Sequence, residues 1–187
     1  MVIIFTQIAF EDRKRNLPFF NDCLLSVDCT DFGVLNLGSA FSSHKLKGKS
    51  AVRYEIALDI LKGDIPWIYG PLPAGHWPDV KIFCHSLRQW LDEDERVEAD
   101  DGYIGEARWK VKCPASFPNP AEKEAMQSRV RSRQETVNKR FKQWENLKQV
   151  FCHDVMLHGT VFRAIAVITQ LAIQNGEPLF SVDYKDP

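Results

Sequence analysis

The amino-acid sequence predicts an α/β protein in which a mixed sheet is flanked by helices. Three observations carry that expectation. Short apolar runs rich in β-formers occupy residues 23–70, and a helical period takes over near residue 79. After one more short strand, two long helical segments close the sequence. With 187 residues, 44% hydrophobic and 26% charged, the chain has the size and composition of one globular domain with a real core.

Residues 1–22 are mixed and read as an amino-terminal extension, 23–175 as the core and 176–187 as a tail. CLLSVDCTDFGVL (23–35) is short, apolar and β-rich, as a central strand requires. LGSAFSSHKLKGKS (37–50) is a polar connection in which Lys45, Lys47 and Lys49 alternate. AVRYEIALDIL (51–61) reads as a second strand and, after a turn at Lys62-Gly63-Asp64, IPWIYG (65–70) as a third. Short turns between them predict an antiparallel meander. PLPAGHWPD (71–79) is a proline-rich loop. In residues 79–94, Ile82, Phe83, Leu87, Trp90 and Leu91 recur with helical period, and Asp79 is placed to cap that helix. ERVEADDGYIG (95–105) reads as a short strand ending in a turn, and 106–119 as irregular. A long charged helix is expected over about 120–148, and a buried one over about 159–173.

Composition narrows the function classes. A formal net charge of −1 excludes a polycation, so any nucleic-acid contact must come from local patches. Five cysteines with no CxxC pair predict free thiols in a reducing compartment. Cys152, His153 and His158 are the nearest approach to a zinc set, and are too sparse to predict one. The start, MVIIFTQIAF, lacks a basic region and soon meets Glu11 and Asp12, unlike a targeting signal. The apolar stretch 161–173 contains Arg163 and is short for a membrane span, so a buried helix and no membrane association are expected.

Three acidic residues stand out by position. Asp28 lies inside an apolar strand, where an uncompensated charge is expensive. Asp100 closes the strand after the first helix, and Glu135 lies on the charged helix. Carboxylates converging from separate elements repel one another, and a divalent cation removes that cost. Hard oxygen donors suit magnesium or manganese. Two such ions about 3.5–4 Å apart promote phosphoryl transfer. The residues also admit a plainer reading: an Asp near Gly102 is a common turn former, and Glu135 with Lys139 makes a surface pair. On the helix, Val130, Val137, Phe141, Trp144 and Lys148 share one face, and Glu135 points nearly the other way.

Surrounding segments bear on these positions. VDCTDFGV (27–34) resembles the first-strand motif of DDE superfamily endonucleases, in which Asp-Gly-Thr is usual. SSHKLKGKSAVRYEIALDI (42–60) is similar to the segment that follows it there, and GPLPAGHWPDVKIF (70–83) to the family's Gly-x-x-x-Asp-x-x-x-Phe connection. EADDGYIG (98–105) resembles the Ala-Asp-x-Gly-Tyr-x-Gly motif, and RSRQETVNKRFKQWENL (131–147) the Arg-x-Glu-x-Val-Asn-x-Arg-x-Lys motif. The motifs stand in family order from about residue 23 to 175, so the chain resembles Harbinger-type and related insertion-sequence transposase cores.

The resemblance implies a ribonuclease-H-like core that cleaves or transfers DNA phosphodiester bonds with two magnesium or manganese ions. Matched motif to motif, the catalytic, metal-binding carboxylates fall on Asp28, Asp100 and Glu135, with Asp31 and Asp101 as near alternatives. DNA is the implied partner, and Lys45, Lys47, Arg131, Lys139 and Lys142 are its candidate phosphate contacts. Arg129, Arg133, Arg140 and Lys49 are further basic candidates, and a solvated helix face is the alternative. Such a protein is expected in the nucleus of a eukaryote or otherwise in the cytoplasm, as an oligomer or single chain. Two departures matter. Cys29 replaces the usual glycine, and only about 22 residues precede the first strand, where such transposases usually carry a helical DNA-binding region. A separate DNA-binding partner, or a catalytically silent domesticated core acting in binding or assembly, is therefore also implied.

Overall fold

β1 (Cys23–Gly33) is buried on both faces along most of its length, as a strand with neighbours and layers on every side must be. β2 (Ala51–Asp59) is buried throughout and pairs antiparallel with β1, from Leu25 opposite Asp59 to Gly33 opposite Ala51. β3 (Trp67–Pro73) pairs antiparallel with β2 and is half-buried, as an edge strand is. β4 (Arg96–Glu98) then runs parallel to β1 on its other side, and β5 (Val111–Lys112) parallel to β4. The result is a five-stranded mixed sheet in the order β3-β2-β1-β4-β5. The structure, a computed structural model, describes residues 8–14, 23–116 and 120–182; much of the expected extension and the end of the tail lie outside these.

Helices cover both faces. α1 (Asp79–His85) and the 3-10 turn Leu87–Trp90 pack on one side, where Leu25, Val27, Cys29, Ile82, Phe83 and Tyr103 share a core. On the other side α2 (Pro120–Phe141) and α4 (Val155–Gln174) meet Phe32, Tyr54 and Ile56 through Val137, Phe141, Phe162 and Ile165. Between them α3 (Glu145–Lys148) is a single short turn. The period of two along β1 thus divides its side chains between the layers.

Several expectations shift. The helix expected over 79–94 ends at His85, and Asp79 is its first residue rather than its cap; Pro78 holds the cap position. The strand expected over 95–105 shrinks to Arg96–Glu98, followed by a 3-10 turn at Asp101–Glu106. β5 lies in a stretch expected to be irregular, and two residues carry too little pattern to announce a strand. The long helix breaks after Phe141, and Trp144 begins the next turn. α4 starts at Val155, earlier than expected, because the Asp154 side chain caps it by accepting from the Met156 N–H. At this length it is long and apolar enough to cross a membrane, but half of it is buried inside the fold. The segment after α4 is packed as well, with Leu179 and Val182 buried. At the other end, Arg13 docks residues 8–14 onto the core through two 2.8 Å bonds to the buried Glu95.

Candidate active site

β4 pairs with β1 only as far as Ser26 opposite Glu98. Beyond that point the two strands part, and a cleft opens between β1, the end of β4 and α2. Asp28 points to the α2 side of the sheet. Its Oδ2 accepts from the Asn138 Nδ2–H at 3.0 Å and its Oδ1 from the Cys29 backbone N–H at 2.7 Å. The Lys45 ammonium stands 3.8 Å from the same Oδ1. It also donates to the Cys29 carbonyl at 2.5 Å and to Asp79 at 3.1 Å. Burial pushes the Asp28 carboxyl above the usual range; Lys45 opposes this, while repulsion from Asp79 and Asp100 adds to it.

Asp100 follows β4 and caps the 3-10 turn, its Oδ1 accepting the Gly102 N–H at 2.9 Å. A Cβ at position 102 would lie 2.9 Å from that oxygen and push the carboxylate aside. Glu135 is exposed on α2. Asp28, Asp100 and Glu135 line one cleft of about 100 Å³, together with Ser26, Glu98 and Gln134. The two near alternatives do not line it. Asp31 faces the α1 side, where Arg53 holds both its oxygens at 2.6 and 2.8 Å and Ser43 donates at 2.5 Å. The side chain of Asp101 instead accepts the Ala115 N–H at 3.0 Å.

The donor set suits a hard divalent cation: three carboxylates from three elements, two of them repelling each other across a small polar cleft. Among the described residues, no group of three or more His, Cys, Asp or Glu is arranged to hold a metal. The sparse zinc set does not assemble: Cys152 and His153 are exposed, while the buried His158 places Nδ1 2.7 Å from the Tyr54 hydroxyl.

A larger groove of about 860 Å³ adjoins the carboxylates beyond Asp31 on β1. Lys45, Lys47, Lys49, Lys142 and Lys148 line it, and its one carboxylate, Asp31, is neutralised by Arg53. Of the predicted phosphate contacts, Lys45, Lys47 and Lys142 therefore face this groove, and Arg131 lines the carboxylate cleft. Lys139 is exposed on α2 and lines neither. Two further candidates have structural partners instead. Arg133 is buried and donates to the carbonyls of Asp59, Ile60 and Phe180, and Arg140 to that of Glu177.

Sequence reasoning missed Asn138 as a partner of Asp28, and Asp79 as a bridge between Arg53 (2.7 Å) and Lys45. Asn138 lies three residues after Glu135, a spacing that puts both on adjoining parts of one helix surface. Cys29 does not crowd the strand, since its Sγ fits 3.3 Å from the Tyr103 hydroxyl on the α1 side. Comparison of the chain with protein-family models, curated proteins and solved structures returned no match.

Proposed function

We propose that this chain is the catalytic core of a divalent-metal-dependent DNA endonuclease or transposase, with a ribonuclease-H-like fold. The observation that carries the reading is the convergence of Asp28, Asp100 and Glu135 on one cleft from β1, the end of β4 and α2. The fold reading rests on the strand order, three antiparallel strands followed by two parallel ones on the far side of β1. The resemblance of the ordered motifs to DDE superfamily endonucleases points the same way.

In this reading Asp28 and Asp100 hold magnesium or manganese, and Glu135 completes the set from across the cleft. When bound, the ions activate the attacking water or hydroxyl and stabilise the leaving oxygen of the phosphodiester. Gly102 keeps Asp100 oriented by its N–H, and Cys29 and Asn138 do the same for Asp28. Lys45, Lys47 and Lys142 hold the phosphate backbone without reading its sequence. DNA is then the substrate, and the nucleus of a eukaryote or the cytoplasm its place of action.

The test is nicking of supercoiled plasmid with magnesium or manganese. Nicking that a chelator stops supports the reading. A second reading, a silent core acting in binding or assembly, draws on the lack of a closed group of three ligands among the described residues. A folded chain that binds plasmid but neither takes up manganese nor nicks favours it.

A further inference from the structure

We infer that Asn138 is the positioning residue of the first carboxylate, fixing which lone pairs of Asp28 remain free for a cation. The inference rests on the proposed metal site. Asn138 donates Nδ2–H to Asp28 Oδ2 at 3.0 Å, while its own Oδ1 is buried without a hydrogen-bond partner. An amide normally turns to satisfy both ends. Here the opposite orientation would set the amide oxygen against the carboxylate, so the bond to Asp28 decides which way the side chain faces. With the Cys29 N–H on Oδ1, each Asp28 oxygen accepts one protein donor, and one lone pair on each stays open.

The position on α2 adds a second consequence. Asn138 and Glu135 share that helix, so the element that presents the third carboxylate also fixes the first. Gln134, on the same helix, ties it to the sheet by accepting from Ser26 at 3.0 Å and donating to the Ile56 carbonyl at 2.9 Å. Asn138 thus reads the seating of α2 out to Asp28. Residues that hold a metal-binding carboxylate in this way act by orienting it, and their loss weakens metal binding without removing a ligand.

The test is manganese binding, followed by calorimetry and by the paramagnetic signal of the free ion, in the wild type, Asn138→Leu, Asn138→Ser and Asp28→Asn. Leu matches the shape without the donor, and Ser keeps a hydroxyl too short to reach. Thermal unfolding identifies which variants are folded. The inference predicts affinity about 10–100-fold weaker in both Asn138 variants, with nicking kcat reduced and the KM for plasmid unchanged. It also predicts partial recovery in Asn138→Gln, which restores an amide N–H. Folded Asn138 variants that bind manganese as the wild type does, while Asp28→Asn does not, overturn the inference and leave the proposed function standing. Wild-type affinity in Asp28→Asn as well overturns both.

Discussion

Asp28 and Asp31 are three residues apart and face opposite layers because side chains alternate along β1. That alternation was legible in the sequence, but which layer held the cleft was not. What separates the two is their partners. Asp31 belongs to a buried network in which Arg53, itself 6% exposed, bridges Asp31 and Asp79. Removing the bridge leaves two buried carboxylates facing each other. Arg53→Met should therefore lose about 3–5 kcal/mol of stability in urea unfolding, whatever it does to nicking. Glu55 on β2 gives a prediction of opposite character. Burial lifts its carboxyl from 4.5 to about 7, against the bonds from Ser86 and Trp67. Between those values the folded chain keeps a proton that the unfolded chain has released. The contribution of Glu55 is thus full below pH 4.5 and lost as pH rises through 7, by roughly 3 kcal/mol. Glu55→Gln should gain on the wild type by about that amount between pH 4.5 and 8, as read from unfolding midpoints. An unchanged difference would show that Glu55 ionises normally in the fold.

α2 shows how an element can be legible in outline and obscure in use. Its charge was plain from the sequence, and Val130, Val137 and Phe141 are buried as the period predicts, whereas Trp144, expected on the same stripe, is 41% exposed because the helix ends at Phe141. The stripe packs on the sheet and on α4, with Phe141 and Phe162 edge to face and their ring centroids 5.2 Å apart. Glu135, far from the stripe, meets the cleft at the helix flank because β4 stops short and leaves that flank open. A period fixes a direction on the helix, whereas a cleft depends on where a neighbouring strand ends. The basic residues sort in the same manner. Lys142 turns into the groove, whereas Lys139 and the structural Arg133 do not. Lys142→Ala should lower DNA affinity alike for all sequences and flatten the salt dependence by about 0.9 in log–log slope. Lys139→Ala should leave both unchanged, and equal effects of the two would mean that the groove is not the DNA track.

At the scale of the whole molecule, a net charge of −1 conceals a strongly uneven surface: five lysines share one groove beside a cleft of carboxylates. The sum of charges gave no sign of it, since strands and helices distant in sequence bring the lysines together. The three-strand meander was readable from its turns, and the α/β class from the order of periods. The two-residue β5 and the packing of the chain beyond α4 were not: β5 exists only through its pairing with β4, and the chain beyond α4 is held by Arg133 and by burial of Leu179.

DNA cleavage through Asp100 and its two partner carboxylates, as proposed, sets two neighbouring aspartates apart. Asp100 and Asp101 are adjacent and chemically alike, but only Asp100 lines the cleft, while Asp101 caps a backbone N–H at Ala115. The measurement is metal-dependent nicking of supercoiled plasmid by the wild type, Asp100→Asn and Asp101→Asn. Loss of nicking in Asp100→Asn, with activity kept in Asp101→Asn, is the predicted result. Nicking that survives Asp100→Asn in a folded protein would rule out this cleft as the cutting site.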